Sequence, residues 1–401
     1  MNVLFLSLLY PRDQMEEIRQ NARDKIQNQI DVYQHAYLSG IRLSLAPEEK
    51  LSVLNGLPVG IFPLQYRKLL LKDGLHEGGT VRNLFTLNVP VLKQFTRRMS
   101  CQRALRRWLK ASPDNRKVLL YTQYLPYMRA IRRARKSFPD LKAAVIVTDL
   151  PNEYGLSTGR RGILKAMERR MGERSLELMG EMDGFVLLTE PMAEVIPVGE
   201  KPTLVMEGLC LHTAGEAEEI TLPEEESAVL YTGTLEEELG ILSMLEAFSA
   251  MPQYQLWICG TGSMKDTARR FADEYPNIHY FGLVSREEAV SMQRRAAALI
   301  NPRPATGLFT RYSFPSKTME YLASGRPVLC CRLAGIPREY DAYLNDLGDG
   351  SPRAIQSAVT ALLQKSPEER HAMGARGRAF VLTQKNERVQ GQRLVEFLRG
   401  L

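Results

Sequence analysis

The 401 residues predict an α/β protein made of two doubly wound parallel sheets. Three observations lead there. The length favours two domains. Short apolar runs that end in polar or turn residues recur in two series. Helical patterns fill the intervals, and strands alternating with helices argue for parallel sheets.

The first series is NVLFLSLL (2–9), KVLLYTQY (117–124), AAVIVTDL (143–150) and GFVLLTE (184–190). The opening run has no basic segment before it and no small-residue cleavage site after it. It reads as a buried first strand rather than a signal peptide. The second series is AVLYTGTL (228–235), YQLWICGTG (254–262), IHYFGLV (278–284), AALINPRP (297–304) and PVLCCRL (327–333). Helical patterns follow, as in ILSMLEAFSAM (241–251) and REEAVSMQRRAAA (286–298). The boundary falls near Glu200, giving domains 1–200 and 201–384. Segment 212–227 is polar and acidic, a linker or an early loop of the second domain. The tail 385–401 places Val389, Leu394, Phe397 and Leu398 on one helical face and is a candidate to cross back to the first domain.

Composition bounds the function. The hydrophobic fraction is 44% and the charged fraction 25%, ordinary for a soluble globular protein. No apolar run approaches the ~18 residues of a spanning helix. Cys101, Cys210, Cys259, Cys330 and Cys331 are odd in number and lack C-x-x-C spacing. Disulfides and zinc are disfavoured, and a cytoplasmic location is expected. His35, His76, His212, His279 and His371 are scattered, without ligand spacing. The charge is uneven: residues 1–200 carry a net +10 within the overall +7. The excess lies between Lys93 and Lys142, where 15 basic residues face only Asp114 and Asp140.

In open parallel sheets ligands bind beyond the carboxyl ends of the strands. One such loop is Cys259-Gly260-Thr261-Gly262-Ser263-Met264-Lys265. Its glycines permit a tight turn, but the third glycine of a dinucleotide site is missing, which disfavours NAD. Another is Thr232-Gly233-Thr234-Leu235, an ordinary loop or a ligand-facing turn. A third, Arg303-Pro304-Ala305-Thr306-Gly307, leads to YSFPSKTMEYLASGRPVL (312–329). There Ser313 or Ser316 can cap a helix, Pro315 fits its first turn, Gly325 ends it and Pro327 stops it. Met319 and Leu322 can face a core. Lys317 sits at the positive end of that helix dipole, where a cation is disfavoured. One reading is a surface pair with Glu320, worth a few tenths of a kcal/mol. The other is an anion cradle of backbone N–H groups and Lys317, with Glu320 accepting from vicinal hydroxyls. An anion followed by a diol describes a nucleotide.

Residues 228–340 resemble the nucleotide-sugar-binding domain of retaining GT-B glycosyltransferases, glycosyltransferase family 4 (glycosyl transferases group 1). The resemblance is carried by YTGTL, LWICGTGSM, NIHYFGLVSREEAVSMQRRAAALINPRP and SFPSKTMEYLASGRPVLCCRLAGIPREY in that order. The form FPSK-x-x-EY-x-x-x-G-x-PV is similar to a branch from bacterial surface-polysaccharide pathways. The first 200 residues match only in strand spacing. The resemblance implies two doubly wound Rossmann-like domains facing a cleft, the first on the acceptor side. It implies a nucleotide-sugar site at Gly233, Thr234, Gly260, Thr261, Gly262 and Arg303, continuing through Arg311, Tyr312, Ser313, Phe314, Pro315, Ser316, Lys317 and Glu320.

The chain departs from that pattern. Tyr312 stands where the family has the first of two glutamates, and Thr234 and Leu239 where it has an Arg and a Lys facing the diphosphate. Tyr10-Pro11-Arg12-Asp13 replaces a glycine-rich loop. Lys317, with Arg303 or Arg311, is the candidate to restore the charge. Asp149 falls where the family has a His or Asp facing the donor sugar, and it reads equally as a helix cap or turn residue. Asp149 and Lys317 are thus the catalytic candidates.

There is no Asp-x-Asp pair, so no metal or other cofactor is expected. Helix N-termini and basic side chains would neutralise the leaving diphosphate, through an oxocarbenium-like transition state. The implied function is sugar transfer with retention to a glycan or lipid-linked acceptor in bacterial capsule, exopolysaccharide or cell-surface glycan synthesis. The alternatives are a non-catalytic GT-B scaffold and a nucleotide-sugar epimerase. The basic stretch 93–142 contains RRMSCQRALRRWLK (97–110) and YMRAIRRARKSF (127–138). It reads either as helices with one buried and one solvated face or as peripheral contact with an anionic membrane. Nucleic acid ranks last, because no nucleic-acid motif accompanies the charge.

Overall fold

The structure is a computed structural model that describes residues 1–24, 26, 28–112, 114–150, 163–210 and 225–401. Pro151, His212 and most of the expected linker 212–227 lie outside the described residues. The chain divides into two compact units: unit 1 is Met1–Leu209 with Glu387–Leu401, and unit 2 is Cys210–Asn386.

Unit 1 contains β1 (Asn2–Ser7), β2 (Lys50–Asn55), β3 (Leu70–Leu71), β4 (Gly74–His76), β5 (Val81–Asn83), β6 (Thr86–Leu87), β7 (Arg116–Tyr121), β8 (Lys142–Val147), β9 (Gly184–Leu187) and β10 (Thr203–Val205). Its main sheet runs β10-β9-β8-β7-β1-β2-β5-β4, and β3 pairs with β6 apart from it. Only the edge strand β4 is antiparallel within the main sheet. At the centre Phe5 lies opposite Val53 and Leu119, all three buried. A strand buried on both faces can be apolar throughout, which is why β1 shows no alternation.

Unit 2 contains β11 (Glu225–Thr234), β12 (Gln255–Thr261), β13 (Ile278–Gly282), β14 (Ala296–Asn301), β15 (Val328–Cys330) and β16 (Leu344–Asp346). The order is β13-β12-β11-β14-β15-β16, parallel throughout. Helices Ile241–Ser249, Lys265–Glu274, Arg286–Arg295 and Lys317–Ser324 alternate with these strands. The fold class expected from the two strand series is therefore found in both units.

Several details differ from expectation. The strands β2, β4, β5, β10 and β16 were not anticipated. Four of them have three residues each, too short to show a pattern. Because β10 pairs with β9, unit 1 runs on to Leu209 rather than stopping near Glu200. Ala296, expected in a helix, and Ala297 and Ala298, which fell in both the helical pattern and the strand run, belong to β14, which lies buried between β11 and β15. All five cysteines are buried thiols outside any disulfide. No described helix is long and apolar enough to cross a membrane.

The tail forms the helix Glu387–Arg399 in unit 1 and packs on the helix Asn28–Ser44. The contact is backbone on backbone: an ideal Cβ on Gly391 would lie 2.2 Å from the Gly40 carbonyl. Glu49 and Arg399 pair at 2.6 Å beside it. The two ends of unit 2 meet, where the Cys210 N–H donates to the Lys385 carbonyl at 2.7 Å.

Candidate functional site

The carboxyl ends of β11 and β12 run side by side, with Gly233 opposite Gly260 and Thr234 opposite Thr261. Side chains would not fit between them. An ideal Cβ on Gly260 would lie 1.7 Å from the Gly233 carbonyl oxygen, and one on Gly262 2.3 Å from that of Leu235. The following turns are stitched together: Leu235 N–H donates to Thr261 O at 3.0 Å, and Met264 N–H to Leu235 O at 2.9 Å. The Tyr231 hydroxyl donates to Thr234 O at 2.7 Å. The result is one shelf of backbone at the carboxyl edge of the sheet.

Lys317 opens the helix Lys317–Ser324, and its side chain runs to that shelf. An ideal Cβ on Gly233 would meet Lys317 Cε at 2.4 Å and Nζ at 2.5 Å. Burial lowers the Lys317 pKa below the ordinary 10.5, and the charge of Glu320 opposes that shift. Among the described residues its ammonium makes no hydrogen bond. A cation held desolvated beyond a parallel sheet, beside glycine turns, is what a diphosphate needs.

Glu320 follows one turn later. Its Oε1 accepts from Gln293 Nε2 at 2.8 Å, and Oε2 makes no hydrogen bond with the described residues. Gln293 is 1% exposed and also reaches Thr232 Oγ1 at 3.3 Å. Thr232 in turn is held by Tyr321, whose hydroxyl accepts from the Thr232 N–H at 2.8 Å. A buried amide thus fixes one carboxylate oxygen and leaves the other exposed to solvent. The sequence reading missed Gln293, since nothing distinguishes it from the other polar residues of the helix Arg286–Arg295 except burial. It also missed Glu236, whose carboxylate accepts from the Ser263 N–H at 3.2 Å.

Other expectations need correction. Neither Ser313 nor Ser316 caps the helix with its side chain. Ser313 Oγ instead accepts from Arg303 Nη2 at 2.8 Å, and the Pro315 carbonyl accepts from Thr318 N–H at 2.8 Å. Burial pushes the Arg303 guanidinium down to about 10. Tyr312 is buried, and Phe314 packs against Tyr340 with ring centroids 5.5 Å apart. Arg311, Thr234 and Thr261 are exposed. Gly325 ends the helix at φ +82°, as expected. Lys317 and Glu320 form no close ion pair, because Gln293 holds the carboxylate.

Asp149 belongs to unit 1. It is exposed just beyond β8, where its Oδ2 accepts from the Thr148 hydroxyl at 3.0 Å and its carbonyl from the Gln123 amide at 2.5 Å. The helix it would cap falls on residues outside the described set. The basic stretch of unit 1 takes the two-faced form: Cys101, Leu105 and Leu109 are buried while Arg103, Arg106 and Arg107 are exposed. Two of its cations point inward, Arg97 and Lys117, 3% and 7% exposed.

Residues 226–365 match the family described as glycosyl transferases group 1. A GDP-mannose-dependent monoacylated α-(1-6)-phosphatidylinositol monomannoside mannosyltransferase of Corynebacterium glutamicum is 28% identical over 162 residues. That match covers 40% of this chain and 42% of the relative, so the chain spans under half of the curated relative's length. Among solved structures, sucrose-phosphate synthase of Thermosynechococcus elongatus superposes with a TM-score of 0.63 at 15% identity, covering 100% of this chain and 99% of that one. HepE of Anabaena, in complex with UDP, gives 0.61 at 12% identity, with both chains fully covered. The fold is that of the GT-B glycosyltransferases.

Proposed function

We propose that the chain is a retaining glycosyltransferase that moves a sugar from a nucleotide-diphosphate sugar to a glycan or lipid-linked acceptor. The observation that carries the reading is the Lys317 ammonium laid over Gly233, with a free Glu320 oxygen one turn further along the helix. The diphosphate takes the place in front of Lys317, beyond the glycine shelf, with Arg303 behind it. Glu320 Oε2 accepts from a ribose hydroxyl. The relative that uses GDP-mannose and the neighbour solved with UDP accord with a donor of this class.

In this reading no metal is required. Lys317 and the backbone N–H groups of the shelf stabilise charge on the departing diphosphate. The leaving phosphate takes the acceptor proton, so no strong protein base is needed. Asp149 supplies a polar contact to sugar or acceptor. The exposed arginines 103, 106 and 107 bring the chain to the anionic cytoplasmic face of a membrane during surface-glycan synthesis.

The test is calorimetric titration with UDP, GDP, ADP and their common sugar conjugates. One diphosphate binds at micromolar affinity, and Lys317→Met and Glu320→Ala each weaken it by about 1–3 kcal/mol. Absence of binding by every nucleotide would favour a non-catalytic scaffold. One observation already leans that way: Glu236 places a carboxylate on the Ser263 N–H, a donor that a diphosphate could use.

A further inference from the structure

Unit 1 holds a cavity of about 620 Å³ lined from the helices Leu92–Ala111, Leu125–Arg135 and Ile163–Met179 and from the end of β8. Gln123 and Asp149 belong to its lining, and Asp149 is the one carboxylate among the described residues of that lining. Its wall has two characters. Val91, Phe95 and Met171 are large apolar side chains that are 81%, 51% and 55% exposed, an unfavourable display in water unless covered. Beside them are donors that lack acceptors. Among the described residues Arg98 Nε and Ser175 Oγ are buried without a hydrogen bond, and Ser175 is only 6% exposed. Arg129 has no carboxylate partner among the described residues. Burial and the neighbouring charges of Arg98, Arg174 and Arg132 lower its pKa. The Arg98 guanidinium lies over the Phe95 ring at 5.3 Å, joining the two parts of the wall.

Unsatisfied buried donors raise the free energy of the cavity, and so does setting the Arg129 guanidinium beside that of Arg98, whereas Arg132 and Arg174 are paired with Glu177 and Glu181. An anion relieves both, since guanidinium forks match phosphate oxygens. It does nothing for the apolar wall. A hydrocarbon relieves only that wall. One ligand that carries both groups, a phosphate attached to an apolar chain, matches the whole lining.

We propose that this cavity is the acceptor site, built for a phosphate-bearing amphiphile. The phosphate oxygens accept from Arg98, Arg129 and Ser175, and the hydrocarbon covers Val91, Phe95 and Met171. Asp149 is left for a hydroxyl of the sugar on that amphiphile. The word acceptor rests on the transferase reading; the binding of the amphiphile does not.

The test is calorimetry on the full chain with dodecyl phosphate below its micelle concentration, dodecyl maltoside and inorganic phosphate. Dodecyl phosphate is expected to bind at least about tenfold more tightly than either partial ligand. Arg98→Gln with Arg129→Gln weakens it by about tenfold or more, and Phe95→Ser weakens it separately. Arg103→Gln with Arg106→Gln, on the same helix but lining a different pocket, leaves it unchanged. UDP or GDP binding, read on each variant, reports that unit 2 is intact, and thermal unfolding reports unit 1. Equal binding of dodecyl maltoside would reduce the site to an apolar groove and overturn the proposal. Equal binding of inorganic phosphate, or equal loss in the Arg103/Arg106 control, would reduce it to general attraction of anions or of a membrane surface. Amphiphile binding without any nucleotide binding would uphold the cavity and sink the transferase reading instead.

Discussion

Lys317 spends its charge under two opposed influences, burial and the carboxylate one turn away, and burial wins. A diphosphate reverses that balance, because it favours the protonated amine. Binding is therefore full below the lowered pKa of Lys317 and declines as pH rises through it, earlier than the ordinary 10.5 would allow. Titrations between pH 7.5 and 10 check this: affinity falls with pH in the native protein and is flat in Lys317→Met. Identical slopes in both would remove Lys317 from the phosphate. Gln293 calls for a different readout, since its amide holds the Glu320 carboxylate and lies buried behind it. Gln293→Leu keeps diphosphate contacts and lets the carboxylate wander. The preference for a ribonucleotide over its 2′-deoxy or 3′-deoxy form then shrinks by about 1 kcal/mol, while pyrophosphate affinity holds. Lys317 was legible in the sequence because a cation at a helix start breaks a rule. Gln293 was not, since its role comes from burial against Thr232 and from a partner 27 residues away.

At the scale of elements, long apolar runs announced β1, β7, β8, β11, β12 and β14, because a strand covered on both faces has no polar side to show. The three-residue strands β4, β5, β10 and β16 were invisible, because their pairing comes from neighbours rather than from their own pattern, whereas β15, equally short, lies inside the apolar run 327–333. The tail helix was read from Val389, Leu394, Phe397 and Leu398, but its closest contact was not. That contact is glycine on glycine, a feature with no hydrophobic signature. Gly391→Ala forces a methyl group to within 2.2 Å of the Gly40 carbonyl, and is expected to cost about 1–3 kcal/mol. Thermal unfolding reads the loss, and Gly400→Ala, whose nearest contact would be 3.5 Å, is the neutral comparison. Equal melting temperatures would show that the two helices can part without loss.

For the whole molecule, the count of two units followed from two strand series, and the glycine turns from the spacing at strand ends, though not their pairing into one shelf. The cavity of unit 1 was not legible: Arg98, Arg129, Ser175 and Met171 are brought together from three helices, a juxtaposition that belongs to the fold. The division of the chain carries a further consequence. Unit 2 is an insertion within unit 1, and its two ends are pinned by the Cys210–Lys385 hydrogen bond. A ribosome therefore delivers all of unit 2 before it delivers the final helix of unit 1. During translation the first-made sheet waits with the Gly40 face of its helix uncovered, while the later-made sheet already has every strand it needs. Birth order and completion order are opposite for these two units, and the helix that runs through Arg399 finishes the unit that was begun first.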